Sequence, residues 1–215
     1  MPRRTLIDHR PWLVASLFAA IAYYVLRDTA LGGLWLILLK GAGVGLLAFY
    51  ALRRASGADG TLIAVVLGLG ALGDMAIELD FVAGGAAFFL EHCVAIALYL
   101  RHPRPALAGS QKAAGIALLL GTPLLAWLLT VNWQVALYAL ALGGMAAAAW
   151  LSAFPRYRVG IGAVLFVVSD LLIFWREGPF DDGGIGDLLV WPIYYAGQFL
   201  IATGVVQTLR RKANP

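Results

Sequence analysis

Two aspartates stand inside apolar runs: Asp74 in LGALGDMAIEL and Asp170 in VLFVVSDLLIFW. Lys40, Glu91 and His92 sit in similar surroundings, and Tyr194, Tyr195 and Gln198 add hydrogen-bonding groups to another apolar stretch. An ionisable side chain at the centre of a membrane-spanning helix costs on the order of 3 kcal/mol, so it faces a cavity or a partner. Two carboxyls in unequal environments suit general acid and base work around a cationic transition state, as in glycoside hydrolysis. The same residues also describe a proton relay. Each has a structural reading too: the aspartates as glue between helices, Lys40 as a counter-charge or a snorkelling cation, the tyrosines as interfacial belt residues.

The elements that position these residues are helices. The chain has 215 residues, of which 61% are hydrophobic and 13% charged, and its mean hydropathy is +0.83. Soluble domains are about 45–50% apolar and about 25% charged, so the composition indicates an integral membrane protein. Eight apolar runs are long enough to span a bilayer as helices, at about 11–27, 31–52, 61–79, 82–100, 113–130, 132–153, 158–176 and 188–209. The expected fold is therefore all-α, a polytopic bundle of eight transmembrane helices in one integral membrane domain over 1–215. The third span carries GD and the seventh SD, both in the outer part of their helices, so a duplicated four-helix unit in parallel repeat is a further expectation.

Charge sets the orientation. Of the 16 Lys and Arg residues, 13 fall on one side: Arg3, Arg4, Arg10, Arg53, Arg54, Arg101, Arg104, Lys112, Arg156, Arg158, Arg210, Arg211 and Lys212. Arg27 and Arg176 fall on the other side, with the acids Asp28, Glu78, Asp80, Glu177, Asp181, Asp182 and Asp187. That asymmetry places both termini in the cytoplasm. The net charge of +4 comes from short clusters between apolar runs, which argues against a nucleic-acid partner. The single cysteine, Cys93, excludes an internal disulfide. The stretch EGPFDDGGIGD at 177–187 lacks the ligand spacing of a calcium loop. Serine-hydrolase, zinc-protease and phosphate-loop motifs are absent.

At about 1.5 Å per residue, Asp74 and Asp170 lie about 8 and 9 Å from the outer ends of these spans, and Lys40 about 13 Å. Glu91 and His92 lie about 14 Å down, Tyr195 about 10 Å and Gln198 about 15 Å. Side chains on five helices thus converge on one depth in the outer half, as the lining of one pocket would. Glu91 and His92, being adjacent, point about 100° apart, and His92 is the preferred site residue. Gln198 lies one turn after Tyr194 and shares its face.

In these positions the chain resembles the YhhN family of membrane lysoplasmalogenases. The resemblance rests on Lys40 in the second span, LGALGDMAI at 69–77, FVAGGAAFFLEH at 81–92, GAVLFVVSDLLI at 162–173 and YYAGQFLI at 194–201. It departs at Gly41, where many members have proline, and at Ala95, where a tyrosine often follows the histidine. The resemblance implies hydrolysis of the vinyl ether bond of lysoplasmalogens, giving a fatty aldehyde and a glycerophospho-alcohol. The expected partners are a single-chain ether phospholipid and the lipid bilayer.

A vinyl ether hydrolyses by protonation of its β-carbon, addition of water to the oxocarbenium ion and collapse of the hemiacetal. This chemistry requires no cofactor or metal. An apolar environment favours the neutral form of a carboxyl. One aspartate, with Asp170 preferred, is thus expected to serve as acid. The other, kept charged by Lys40, would stabilise the cation. His92, Tyr194, Tyr195 and Gln198 would orient water or the glycerol oxygens, Glu91 is a weaker candidate for the same site, and Arg176 would meet the phosphate. A bacterial plasma membrane is the expected location, with the site opening toward the non-cytoplasmic half. The readings from other classes are a small proton-coupled transporter, which needs a polar route to both faces, and a non-catalytic lipid-binding protein.

Overall fold

The computed structural model describes residues 10–30, 32–180 and 183–213. Eight α-helices follow one another: α1 Arg10–Leu26, α2 Leu34–Arg54, α3 Gly57–Ala76, α4 Phe81–Leu100, α5 Gly109–Thr130, α6 Trp133–Leu151, α7 Ile161–Glu177 and α8 Ile185–Ala213. A π-helical turn, Arg156–Gly160, leads into α7. No β-strand occurs among the described residues. Seven of the helices, counting α7 with its π turn, are long and apolar enough to cross a membrane; α1 is apolar but shorter. Arg3, Arg4, Asp181 and Asp182, used above to orient the chain, lie outside the described residues, as does the side chain of Arg10.

The helix ends agree with the apolar runs to within a turn, except where local chemistry moves them. The third run extends to residue 79, but α3 stops at Ala76 and residues 77–79 form a turn. Helix α8 outruns its apolar stretch at the basic end, where Arg210, Arg211 and Lys212 occupy the last turn and favour its dipole. Pro192 lies within α8, and the helix continues through it.

The chain divides into two compact units. One comprises residues up to Glu91 together with the chain from Val206 onward. In it α2 packs on both α1 and α3, and small residues set the approach. A Cβ on Gly41 would lie 2.6 Å from the Met75 side chain of α3, and one on Gly60 would lie 2.7 Å from the Ala55 backbone. The α2–α3 turn therefore depends on glycine. Ser16 of α1 donates to the Gly43 carbonyl of α2 at 2.5 Å.

The other unit runs from His92 to Val205. Helix α5 packs along α6, and α7 packs on both. Gly162 of α7 and Gly197 of α8 meet backbone to backbone: a Cβ on either would lie 2.7 Å from the other's carbonyl oxygen. At one end Arg104 ties two loops together, donating to the Ser152 carbonyl at 3.0 Å and the Phe154 carbonyl at 2.9 Å. At the other end Asn132 caps α6 by accepting from the Gln134 amide at 2.9 Å. Phe18 on α1 and Leu120, Leu124 and Trp127 on α5 present exposed apolar side chains. Surfaces of this kind suit lipid, in which the helices satisfy their own backbone groups.

Candidate functional site

The residues singled out in the sequence fall into two clusters, one in each unit. In the first unit Lys40 of α2 lies with its Nζ 2.6 Å from Glu78 Oε1. Tyr23 of α1 donates its hydroxyl to the same oxygen at 3.1 Å, and the Lys40 ammonium lies 5.5 Å from the Tyr23 ring centre. The sequence reading gave Lys40 an aspartate for its counter-charge and counted Glu78 among the outer acids. Glu78 is a partner of that lysine, brought to it because α3 stops early and the chain turns back. Asp74 is buried in the last turn of α3, one helical turn before Glu78. It therefore lies only about 3 Å from the helix end. Glu91 of α4 is also buried in this unit.

The Lys40–Glu78 pair is only partly exposed, at 13% and 36% of the two side chains. Removing one partner leaves a charge in poor surroundings, whereas removing both does not. Lys40→Met and Glu78→Gln are each expected to lower the melting temperature in detergent. The double variant should lose less than the sum, with a coupling of about 1 kcal/mol. Additive losses would show that the pair is not coupled.

The second cluster is built on α4, α6, α7 and α8. Asp170 of α7 is buried, and its Oδ2 accepts from the Tyr138 hydroxyl of α6 at 2.8 Å. Tyr138 also reaches His92 of α4, with 3.1 Å between the hydroxyl and Nε2. The His92 ring is fully buried and meets Phe166 edge-on at 5.0 Å. Phe166 in turn meets Tyr194 of α8 edge-on at 5.1 Å. Gln198 donates to the Tyr194 hydroxyl at 3.2 Å, as their spacing of one turn requires. Trp191 stacks near Tyr195, with ring centres 6.2 Å apart. The structure therefore brings together Asp170, His92, Tyr194 and Gln198, with Tyr195 next to Tyr194 on the same turn of α8.

Arg176 does not join this cluster. It lies six residues beyond Asp170, about 9 Å along α7. There it bonds Glu177 and Asp187, each at 3.2 Å. Tyr138 is the member that the sequence reading missed. Its only signal is a hydroxyl-bearing aromatic five residues inside α6, which a belt residue also supplies. Measured from the helix ends, Gln198 lies about 20 Å along α8 and Lys40 about 9 Å along α2. Among the described residues no three His, Cys, Asp or Glu side chains come close enough to share a metal ion.

Apolar helices of spanning length, with buried carboxyl, imidazole and phenol groups in contact, define a polytopic α-helical membrane protein. The sequence model of the YhhN family matches residues 35–205, and the chain belongs to that family. No curated protein and no solved structure matches it.

Proposed function

We propose that the protein is a lysoplasmalogenase-like hydrolase that cleaves the vinyl ether bond of a single-chain ether phospholipid. The observation that carries this reading is the chain Asp170–Tyr138–His92, a buried carboxyl held by a phenol beside an imidazole, with Phe166 closing one side. Membership of the YhhN family supports it. Asp170 gives its proton to the β-carbon of the vinyl ether, and a carboxyl among apolar side chains suits that task. The scheme also asks for a second carboxyl whose negative charge favours the oxocarbenium ion, the role that the sequence gives to Asp74 of the first unit. Water adds to that ion, and the hemiacetal collapses to aldehyde and glycerophospho-alcohol. His92, Tyr194, Tyr195 and Gln198 orient water or the glycerol oxygens of the lipid, with Glu91 and Arg176 as outlying contributors.

In this reading the chain spans the membrane eight times as one domain, α1 included, with both termini cytoplasmic and a four-plus-four repeat. Its site opens toward the non-cytoplasmic half of a bacterial plasma membrane. A free lysolipid presents its vinyl ether just below the glycerol, at the boundary of a hydrocarbon core about 30 Å thick. The same Asp170–Tyr138–His92 chain also favours a second reading, a proton-coupled carrier, because linked titratable groups in a bundle move protons.

Purified protein incubated with lysoplasmenylethanolamine is expected to release aldehyde, followed through a coupled alcohol dehydrogenase. Proton flux into proteoliposomes without added lipid substrate, together with no aldehyde, would establish the carrier instead.

A further inference from the structure

The orienting role of His92 can be narrowed to one of its atoms. His92 Nδ1 is buried and has no hydrogen-bond partner among the described residues. The other ring nitrogen, Nε2, is engaged with Tyr138 at 3.1 Å. Tyr138 has a single hydroxyl proton, and this fixes the polarity of the chain. When Tyr138 donates to Asp170, as at 2.8 Å, Nε2 must donate to the phenol oxygen. A neutral imidazole then carries a lone pair on Nδ1. When Asp170 carries the proton and donates, Tyr138 donates to Nε2, and Nδ1 bears the hydrogen.

Nδ1 is therefore an acceptor in one state and a donor in the other. A buried polar atom of this kind is costly unless it is matched. A carboxylate, carbonyl or ammonium matches only one of the two states. A hydroxyl matches both, because it donates and accepts. We propose that His92 Nδ1 is a binding point for one hydroxyl group, with Tyr138 as the positioning residue that couples its polarity to Asp170. The hydroxyl has two sources of the same chemistry: the free central hydroxyl of a single-chain glycerolipid, or a water molecule. The first would make His92 the residue that reads the absence of a second acyl chain.

The proposal rests on the hydrolase reading for its substrate but not for its test, which uses binding rather than turnover. The full-length protein, labelled with nitrogen-15 in histidine, is reconstituted in lipid, and the His92 signals are assigned by their loss in His92→Gln. A saturated alkyl lysophospholipid, which has no vinyl ether to cleave, is added, and in parallel its analogue lacking the central hydroxyl. A hydrogen-bond shift at Nδ1 with the first ligand and not the second supports the lipid hydroxyl. A hydrogen-bonded Nδ1 before any lysolipid is added, unchanged by either ligand, supports water. A non-hydrogen-bonded Nδ1 throughout overturns the proposal.

Two substitutions separate the ring nitrogens. The amide of His92→Gln reaches the place of Nε2 and that of His92→Asn the place of Nδ1. With a turning-over substrate, a lipid source predicts a KM about tenfold higher for His92→Gln on the hydroxyl-bearing lipid, which is the fold-change of about one lost hydrogen bond, and none on the deoxy analogue. A water source predicts a lower kcat on both lipids with KM unchanged. If His92→Gln matches wild type on both lipids, the proposal is overturned. If wild type releases no aldehyde, the hydrolase reading fails, and the resonance experiment still decides on the hydroxyl site.

Discussion

Asp170→Asn is expected to lower kcat for aldehyde release by about a hundredfold to ten-thousandfold, the range that a positioned general acid contributes. The amide has the size of the carboxyl and still accepts from the Tyr138 hydroxyl, which stands 2.8 Å away. Melting temperature should therefore change little, which separates lost chemistry from lost fold. What the amide cannot do is give a proton to carbon. Tyr138→Phe leaves that proton in place and removes only the group that aims it. Its loss should be smaller, about tenfold, and should fall mainly on kcat. Asp74→Asn removes the second carboxyl and should also reduce kcat. Full activity after both aspartates are replaced together would refute the acid-and-stabiliser scheme.

Gly197→Val is expected to produce the largest loss of stability. The α7–α8 crossing places Gly162 and Gly197 so that a Cβ on either would lie 2.7 Å from the other's carbonyl oxygen. Both partners are backbone, so no side chain can rotate away, and the helices must separate. Close approach at small residues is how membrane helices gain packing without a hydrophobic drive. Overpacking costs about 1–3 kcal/mol where a core can adjust, and here it should reach at least the upper end. At about 2–4 °C per kcal/mol for a chain of this size, the melting temperature in detergent should fall by roughly 6–12 °C or more. Gly68, where a Cβ would meet nothing within 4 Å, provides the control: Gly68→Ala should be neutral or slightly stabilising, as removal of a helix-interior glycine predicts. Equal melting temperatures for Gly197→Val and wild type would show that the crossing has room for a side chain.

Helix number and extent were legible because long uninterrupted apolar runs admit few other structures in a bilayer. The exceptions have local causes. Helix α3 ends at Ala76 although hydrophobic residues continue to Leu79, and hydropathy cannot register a turn built from Ile77, Glu78 and Leu79. The sequence places Glu78 among the acids of the outer face, and the turn carries it to Lys40. Asp170, His92, Tyr194 and Gln198 stood out because polar groups in apolar runs are costly. Tyr138 did not, because tyrosine is amphipathic and gives the same signal in a belt, in a core and in a site. Pairing was the part that sequence left dark. Which hydroxyl meets which carboxyl depends on helix rotation and crossing, and those are set by glycines such as Gly162 and Gly197, whose spacing alone names no partner.

The central claim is that a carboxyl of this protein delivers a proton to carbon and so splits an ether. It is tested most directly by the fate of solvent atoms. Lysoplasmenylethanolamine is hydrolysed in deuterium oxide by the purified protein, and the aldehyde is reduced as it forms so that no later exchange occurs. A parallel reaction uses heavy-oxygen water, and both sets of products are analysed by mass spectrometry. The mechanism predicts one solvent deuterium on the carbon next to the former aldehyde carbon, and a glycerophospho-alcohol free of solvent oxygen. Product without deuterium at that carbon, or with solvent oxygen in the glycerol, would contradict it.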